Sequence, residues 1–122
     1  MTDHVPEWTP KPWGGELLLR KTEQYAVKVL HLQSGCRTSL QYHRVKQETM
    51  FPGSGRVLLE THCDGVVSIE PLTMAVLVPP GTVHRLIAET DAEIVEVSGT
   101  ELDDVVRLED DYGRVASLAR DA

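Results

Sequence analysis

Residues 35–55 have the sequence GCRTSLQYHRVKQETMFPGSG, which begins and ends with glycine and contains Gln41, His43 and Glu48 at short spacings. Gln41 and His43 are two residues apart, so on a β-strand their side chains point to the same face. Glu48 follows after a short polar turn, and the next strand can bring its carboxylate to face them. The spacing therefore predicts that these three polar side chains gather on one face of a small sheet.

A second segment supplies another histidine. Residues 79–84 have the sequence PPGTVH, a rigid turn that delivers His84 at the start of a strand. The two segments together offer two imidazoles, one carboxylate and one amide oxygen. Two histidines and one carboxylate suit a divalent ion such as Fe(II), Zn, Mn, Co or Ni, and the neutral Gln41 can add a weak fourth ligand. We therefore predict that Gln41, His43, Glu48 and His84 bind one divalent metal ion.

Short apolar or alternating runs occupy the chain from residue 16 to residue 97, which predicts eight or more short strands. Residues 16–32 indicate two strands joined by a polar hairpin, and Asp64-Gly65 indicates another hairpin. Pro52 and Gly53 interrupt a predicted strand and indicate an edge or a bulge. No helical period occurs before residue 102. The chain is therefore predicted to be all-β, with a jelly-roll or sandwich-like barrel as its architecture.

The two ends of the chain are less regular in sequence. Residues 1–15 contain several prolines and glycines around Trp8 and Trp13, which predicts an irregular, extended N-terminal arm. These two aromatic side chains could pack against the outside of the barrel or close a homodimer interface or the mouth of a site. The tail, residues 102–122, could contain one helical turn after Leu102 and another at residues 116–119.

Length and charge exclude several classes of function. The 122 residues fit a single domain, residues 1–122, with a hydrophobic core. The formal net charge of −7 argues against nucleic acid, whose binding relies on clustered cations. No apolar run is long enough to span a membrane and no signal sequence is evident, so we expect a cytoplasmic protein. Cys36 and Cys63 are expected to be free and buried.

Three segments carry a resemblance to a known family. The sequence SLQYH with Glu48 five residues later, KPWG at residues 11–14 and LDDVVRLEDDYGR at residues 102–114 resemble the cupin domain of type II mannose-6-phosphate isomerases. The resemblance covers roughly residues 11–114. It implies a single-domain cupin jelly roll with metal motifs at residues 35–55 and 79–84, in which Gln41, His43, Glu48 and His84 occupy the positions of the family's metal ligands.

The resemblance also has departures. The family follows its ligand histidine with two more histidines and an arginine, and it places a tryptophan two residues after the glutamate. This chain has Arg44, Val45, Lys46 and Met50 at those positions. The difference favours a substrate other than the family's own.

The predicted activity is metal-dependent isomerisation of a sugar or sugar phosphate, in which the ion stabilises the developing enediolate and a base moves a proton between adjacent carbons. The candidate bases are Lys28 and Glu48. Lys28 lies among apolar residues, so its ammonium either reaches solvent or enters the barrel, and the resemblance favours the barrel because the family carries a lysine on the corresponding strand. Two alternatives stay open: an Fe(II)-dependent cupin oxygenase, and a non-catalytic module that binds a sugar or another small molecule.

Overall fold

The computed structural model describes residues 6–115, which form β-strands and turns without a helix. Within this range no helix has the length and apolar character that crossing a membrane requires. The strands are β1 Glu7–Lys11, β2 Gly14–Lys21, β3 Ala26–Leu32, β4 Leu40–Tyr42, β5 Glu48–Ser54, β6 Val57–Cys63, β7 Val66–Pro71, β8 Val76–Val78, β9 Val83–Ala88, β10 Ala92–Ser98 and β11 Val106–Glu109. The predicted all-β class is confirmed.

The strands form two antiparallel sheets. One sheet has six strands in the order β1-β2-β3-β10-β5-β8, and the other has five in the order β11-β4-β9-β6-β7. From β3 to β11 the chain passes repeatedly from one sheet to the other, and only β6 and β7 form a hairpin within one sheet on this path. Two facing antiparallel sheets with these crossovers are the jelly-roll arrangement that the sequence predicts.

The interior of the barrel is apolar at one end and polar at the other. On the inner face of β10, Ala92 and Ile94 are followed by Glu96 and Ser98, and all four are buried. The neighbouring strand β3 shows the same change from apolar to charged residues, since its register with β10 places Ile94 opposite Leu30 and Glu96 opposite Lys28. Each fully buried large apolar side chain contributes about 1.5–3 kcal/mol. The apolar end therefore supplies the stability, and the polar end is available for chemistry.

Turn chemistry explains two features of the path. Asp64 and Gly65 have φ of 51° and 79°, the left-handed conformations that a tight hairpin requires, and they join β6 to β7. The pairing of β10 with β5 shifts by one residue at Glu93 and Ile94, opposite the segment that contains Pro52. The predicted hairpin is confirmed, and of the two options predicted at Pro52 and Gly53, an edge or a bulge, the structure has a bulge.

The prediction of an irregular N-terminal arm is wrong for residues 7–11, which form the edge strand β1 paired with β2. An edge strand tolerates Pro10 because one side of the strand has no neighbour. Trp13 lies in the core, 5% exposed, and not on the outside of the barrel. Gly14 permits this path, since a Cβ there would lie 1.9 Å from the backbone oxygen of His31.

The tail also differs from the prediction. Turns follow residue 101 in place of a helical turn, and residues 106–109 form β11 against β4. Tyr112 packs against the core and Gly113 has φ of 74°, so the segment is docked. The second predicted helical turn, at residues 116–119, lies outside the described residues. Both cysteines are free, as predicted, but Cys36 is only half-buried and Cys63 is exposed.

Candidate metal centre

Three of the four predicted ligands meet inside the barrel. One ligand atom from each of His43, Glu48 and His84 lies within 4.8 Å of the other two, and all three residues are buried. The Nε2 atom of His84 lies 3.0 Å from Glu48 Oε1, and the Nε2 atom of His43 lies 3.4 Å from the same oxygen. The cluster combines one loop position and two strands, because His43 follows β4, Glu48 opens β5 and His84 lies on β9.

Each imidazole is oriented by the backbone. The Nδ1 atom of His43 lies 2.6 Å from the carbonyl oxygen of Asp104, and the Nδ1 atom of His84 lies 2.8 Å from the carbonyl oxygen of Thr82. A carbonyl can only accept, so both Nδ1 atoms carry hydrogen. This arrangement aims both Nε2 atoms at the carboxylate, and such outer contacts fix the ring orientation in metal-binding histidines.

The donor set fits a divalent ion. Each imidazole has an acceptor oxygen beside both of its ring nitrogens. A neutral ring carries only one N–H, which Nδ1 donates to the backbone carbonyl. The lone pair of Nε2 is then directed at Glu48. The Nε2 atom of His43 is buried and has no hydrogen-bond partner among residues 6–115. A cation placed between the imidazole lone pairs and the carboxylate would satisfy all three groups at once.

Gln41 lies beside this cluster. Its Cα is paired with that of His84 across β4 and β9, so both side chains share the inner face. The hydroxyl of Ser39 donates to Gln41 Oε1 at 2.6 Å, which leaves the second lone pair of that oxygen free. The placement of Gln41 is compatible with a weak neutral ligand, and its role stays a prediction.

Asp104 braces the turn that carries the ligands. Its carboxylate accepts hydrogen bonds from the backbone N–H groups of Arg44, Val45 and Lys46 at 3.0, 2.7 and 2.9 Å. These three bonds lower the pKa of Asp104 to about 2. The same residue orients His43 through its carbonyl oxygen, so a single aspartate ties the loop before β11 to the first metal motif.

A buried group of charges surrounds Glu48. The Nζ atom of Lys46 lies 3.5 Å from Glu48 Oε2 and 3.8 Å from Glu96 Oε1. Burial raises the pKa of Glu48, but the adjacent ring nitrogens of His43 and His84 together with the charge of Lys46 outweigh it, and the pKa lies below its usual range. Burial and the charge of Glu48 raise the pKa of Glu96 to about 8, against the opposing effects of Lys46 and Lys28. Glu48 is therefore ionised at neutral pH, and most of Glu96 is protonated.

Lys46 and Glu96 were not identified from the sequence. Lys46 lies in the polar turn RVKQE, where a solvated lysine is the usual expectation. Glu96 lies between Val95 and Val97, which suggests an apolar inner face made by those valines. Ala92 and Ile94 lie on the same face of the strand as Glu96, and this alternation is the signal that could have placed Glu96 inside.

Lys28 enters the barrel, the option that the resemblance favoured. It is 8% exposed, and its Nζ lies 2.9 Å from Glu16 Oε1. Lys28 and the cluster of His43, Glu48 and His84 line the same cavity, about 100 Å³ in volume. The charged residues of its wall are Lys11, Glu16, Lys28, Lys46, Glu48, Glu96, Arg107 and Arg114.

Comparisons with known proteins agree with this architecture. Residues 3–110 match the family described as mannose-6-phosphate isomerase C-terminal. The chain is 34% identical over 114 residues to the alginate biosynthesis protein AlgA of Pseudomonas aeruginosa, covering 89% of this chain and 23% of AlgA. It is 32% identical over 119 residues to the mannose-1-phosphate guanylyltransferase ManC of Salmonella typhimurium, covering 92% and 24%. The chain thus spans about a quarter of the length of these relatives.

Solved structures share the fold at low sequence identity. The capsular polysaccharide assembling protein CapF of Staphylococcus aureus superposes with a TM-score of 0.71 at 17% identity, over 88% of this chain and 35% of that chain. A variant of oxalate decarboxylase from Bacillus subtilis gives 0.72 at 18% identity, over 84% and 30%. These similarities establish the cupin fold.

Proposed function

The chain belongs to the mannose-6-phosphate isomerase C-terminal family of cupin domains, and from that premise we propose that it isomerises a sugar or sugar phosphate between aldose and ketose forms. The observation that carries the proposal is the buried cluster of His43, Glu48 and His84, in which one ligand atom of each residue lies within 4.8 Å of the other two. The cluster lies in a cavity that also contains lysines and further carboxyl groups, as a proton-transfer reaction requires.

In this proposal Gln41, His43, Glu48 and His84 hold one divalent ion. When bound, the ion would supply Lewis-acid stabilisation of negative charge on the substrate oxygens. Asp104 and Thr82 keep the two imidazoles in the tautomer that binding needs. Lys46 balances the charge of Glu48 within the cavity wall.

Of the two candidate bases, Lys28 is better suited to move the proton. Glu48 contacts both imidazoles and has a lowered pKa, so it accepts a proton poorly. Lys28 is held 2.9 Å from Glu16, and the pair presents both a proton donor and a carboxylate acceptor to the cavity. We therefore propose that Lys28 and Glu16 together transfer the proton between adjacent substrate carbons.

The proposed reaction predicts hydrogen exchange that depends on metal and not on dioxygen. Protein loaded with Zn, Mn or Co is expected to exchange the hydrogen next to the substrate carbonyl with deuterated water, in air and under argon alike, because Lewis acidity does not need a redox-active ion. Nuclear magnetic resonance of a panel of free and phosphorylated aldoses and ketoses measures the exchange. Lys28→Met should lower its rate by about a hundredfold or more, whereas the exposed Lys21→Met serves as a matched control.

Two outcomes would replace this proposal. Metal-dependent dioxygen uptake without exchange would identify an Fe(II) oxygenase. Neither hydrogen exchange nor dioxygen uptake, with sugar binding retained, would identify a non-catalytic binding module.

We also propose that the chain forms a homodimer through β1. Trp8 is 51% exposed on this edge strand, where its ring packs against His31 with 5.3 Å between centroids, and a half-exposed tryptophan is a common interface anchor. Analytical ultracentrifugation should give a dimer whose dissociation constant rises at least tenfold in Trp8→Ser. A monomeric wild-type protein at the highest accessible concentration would contradict the homodimer.

The cytoplasm is the proposed compartment. Both Cys36 and Cys63 are free thiols, which a reducing compartment maintains.

A further inference from the structure

Residues 105–114, which we call the strap, form one side of the cavity. Val105, Arg107 and Arg114 of the strap line the cavity wall. Within the strap, β11 pairs with β4 at only three positions, and the register shifts between Arg107 and Glu109. A short edge strand with an interrupted register has few backbone hydrogen bonds, so it opens more easily than the strands inside the sheet.

The far end of the strap is attached at the protein surface. Arg37 Nε and Nη2 donate to the two carboxylate oxygens of Asp111 at 2.6 and 2.9 Å. The two side chains are 40% and 42% exposed. An ion pair with this much solvent around it contributes little to stability, so the strap is held weakly both along β11 and at its outer end.

The contact between the strap and the barrel leaves polar atoms without partners. In the described part of the chain, three buried side-chain nitrogens lack a hydrogen bond: Arg85 Nε, Arg107 Nε and His43 Nε2. Arg107 lies on the strap, and Arg85 donates through Nη2 to the strap carbonyl of Glu109 at 3.4 Å. His43 donates its Nδ1–H to the carbonyl of Asp104, directly before the strap. Each buried polar atom without a partner destabilises the closed strap, and opening would expose these atoms to water.

The strap begins at the group that orients His43. The carboxylate of Asp104 accepts hydrogen bonds from three backbone N–H groups, those of residues 44–46, and this side chain is therefore fixed. The carbonyl oxygen of Asp104 belongs to the same planar peptide unit as the nitrogen of Val105. Lifting Val105 would rotate that unit and turn the carbonyl away from His43 Nδ1. Movement of the strap is therefore linked to the orientation of a predicted metal ligand.

We propose that the strap opens and closes over the cavity, and that an ion bound by His43, Glu48 and His84 holds it closed. The ion would satisfy His43 Nε2 while the Asp104 carbonyl keeps the ring in place. Because coupling between two equilibria is reciprocal, a closed strap must also retain the ion. Loss of an outer contact to a ligand lowers metal affinity by about tenfold to a hundredfold, so the ion should change the ratio of closed to open strap by the same factor.

Hydrogen exchange of the backbone amides, followed by mass spectrometry of the full chain, tests this coupling without turnover. The amides of residues 106–109 are expected to exchange about tenfold to a hundredfold more slowly in zinc-loaded protein than in metal-free protein. Strand β7, at the opposite edge of the same sheet, is the internal control, and its exchange should change little. Exchange in β11 that does not respond to zinc would overturn the inference.

A disulfide that pins the strap separates this gating from a purely structural role. The Cα atoms of Tyr42 and Val106 are paired across β4 and β11, and such pairs lie about 4.5–5.5 Å apart, within the range of a disulfide. Neither side chain lines the cavity. The variant carries Tyr42→Cys and Val106→Cys together with Cys36→Ser and Cys63→Ser. Its oxidised form should release zinc to excess chelator at least about tenfold more slowly than its reduced form.

The matched control places a disulfide in the other sheet. Val27→Cys with Val97→Cys, in the same cysteine-free background, joins paired Cα atoms of β3 and β10, and its two redox forms should release zinc at equal rates. Equal rates in the two forms of the strap variant would overturn the gating role. The inference rests on the metal centre of the proposed function and not on isomerisation. Slowed zinc release in a protein that exchanges no substrate hydrogen would therefore refute only the isomerase.

Discussion

Replacing His43 or His84 with alanine is expected to lower the affinity for a divalent ion by more than about a hundredfold. Loss of an outer contact to a ligand already lowers affinity by about tenfold to a hundredfold, and loss of a ligand nitrogen should do more. The two imidazoles supply the only nitrogen donors in the cluster. Gln41→Ala should have a milder effect, because a neutral amide oxygen contributes little to a borderline ion.

Competition against a chromophoric chelator measures these affinities. His62→Ala is the matched control. His62 lies in the same five-stranded sheet as His84, and its ring pairs with Glu60 at 2.6 Å, away from the cluster. Wild-type affinity in the double variant of His43 and His84 would show that any bound ion lies elsewhere.

A second large effect is expected from Lys46→Met in the metal-free protein, which should lose about 3–5 kcal/mol of unfolding free energy. Lys46 and Glu48 have side-chain exposures of 6% and 3%, so the substitution leaves an ionised carboxylate in the interior without its neighbouring ammonium. Methionine keeps most of the volume, and the loss is therefore electrostatic. Urea unfolding followed by circular dichroism gives the free energy.

Two further variants define the origin of that loss. Lys46→Met combined with Glu48→Gln should recover much of the stability, because no uncompensated charge then remains. The exposed Lys21→Met should stay within about 0.5 kcal/mol of the wild type. A Lys46→Met protein as stable as the control would show that Glu48 does not need its lysine.

The strands and most of the candidate metal cluster could be predicted, because the strands, Gln41, His43 and Glu48 follow from local spacing. Three features are local in sequence and present in the structure: the alternation of apolar residues, the hairpin at Asp64-Gly65 and the bulge at Pro52. The two-residue period of a strand was enough to place Gln41 and His43 on one face. Placing His84 beside them also required the strand pairing that joins the two motifs. The N-terminal arm was misjudged because proline content does not distinguish a loop from an edge strand.

Lys46 and Arg107 could not be predicted because their place in the cavity wall depends on tertiary contacts. Lys46 lies in a turn and becomes buried only when it packs against Glu48 of β5 and Glu96 of β10. Arg107 faces inward only because residues 106–109 add a strand to the second sheet. Sequence spacing does not reveal which face of a strand is covered when both faces carry mixed residues, so such side chains require the structure.

Anomalous X-ray scattering from crystals of protein loaded with Zn, Mn or Co would locate a bound ion inside the barrel. We expect one strong peak per chain, within roughly 2.0–2.2 Å of His43 Nε2, His84 Nε2 and a Glu48 oxygen. Fully loaded protein with no peak inside the barrel, or with its only peak on the outer surface, would contradict it.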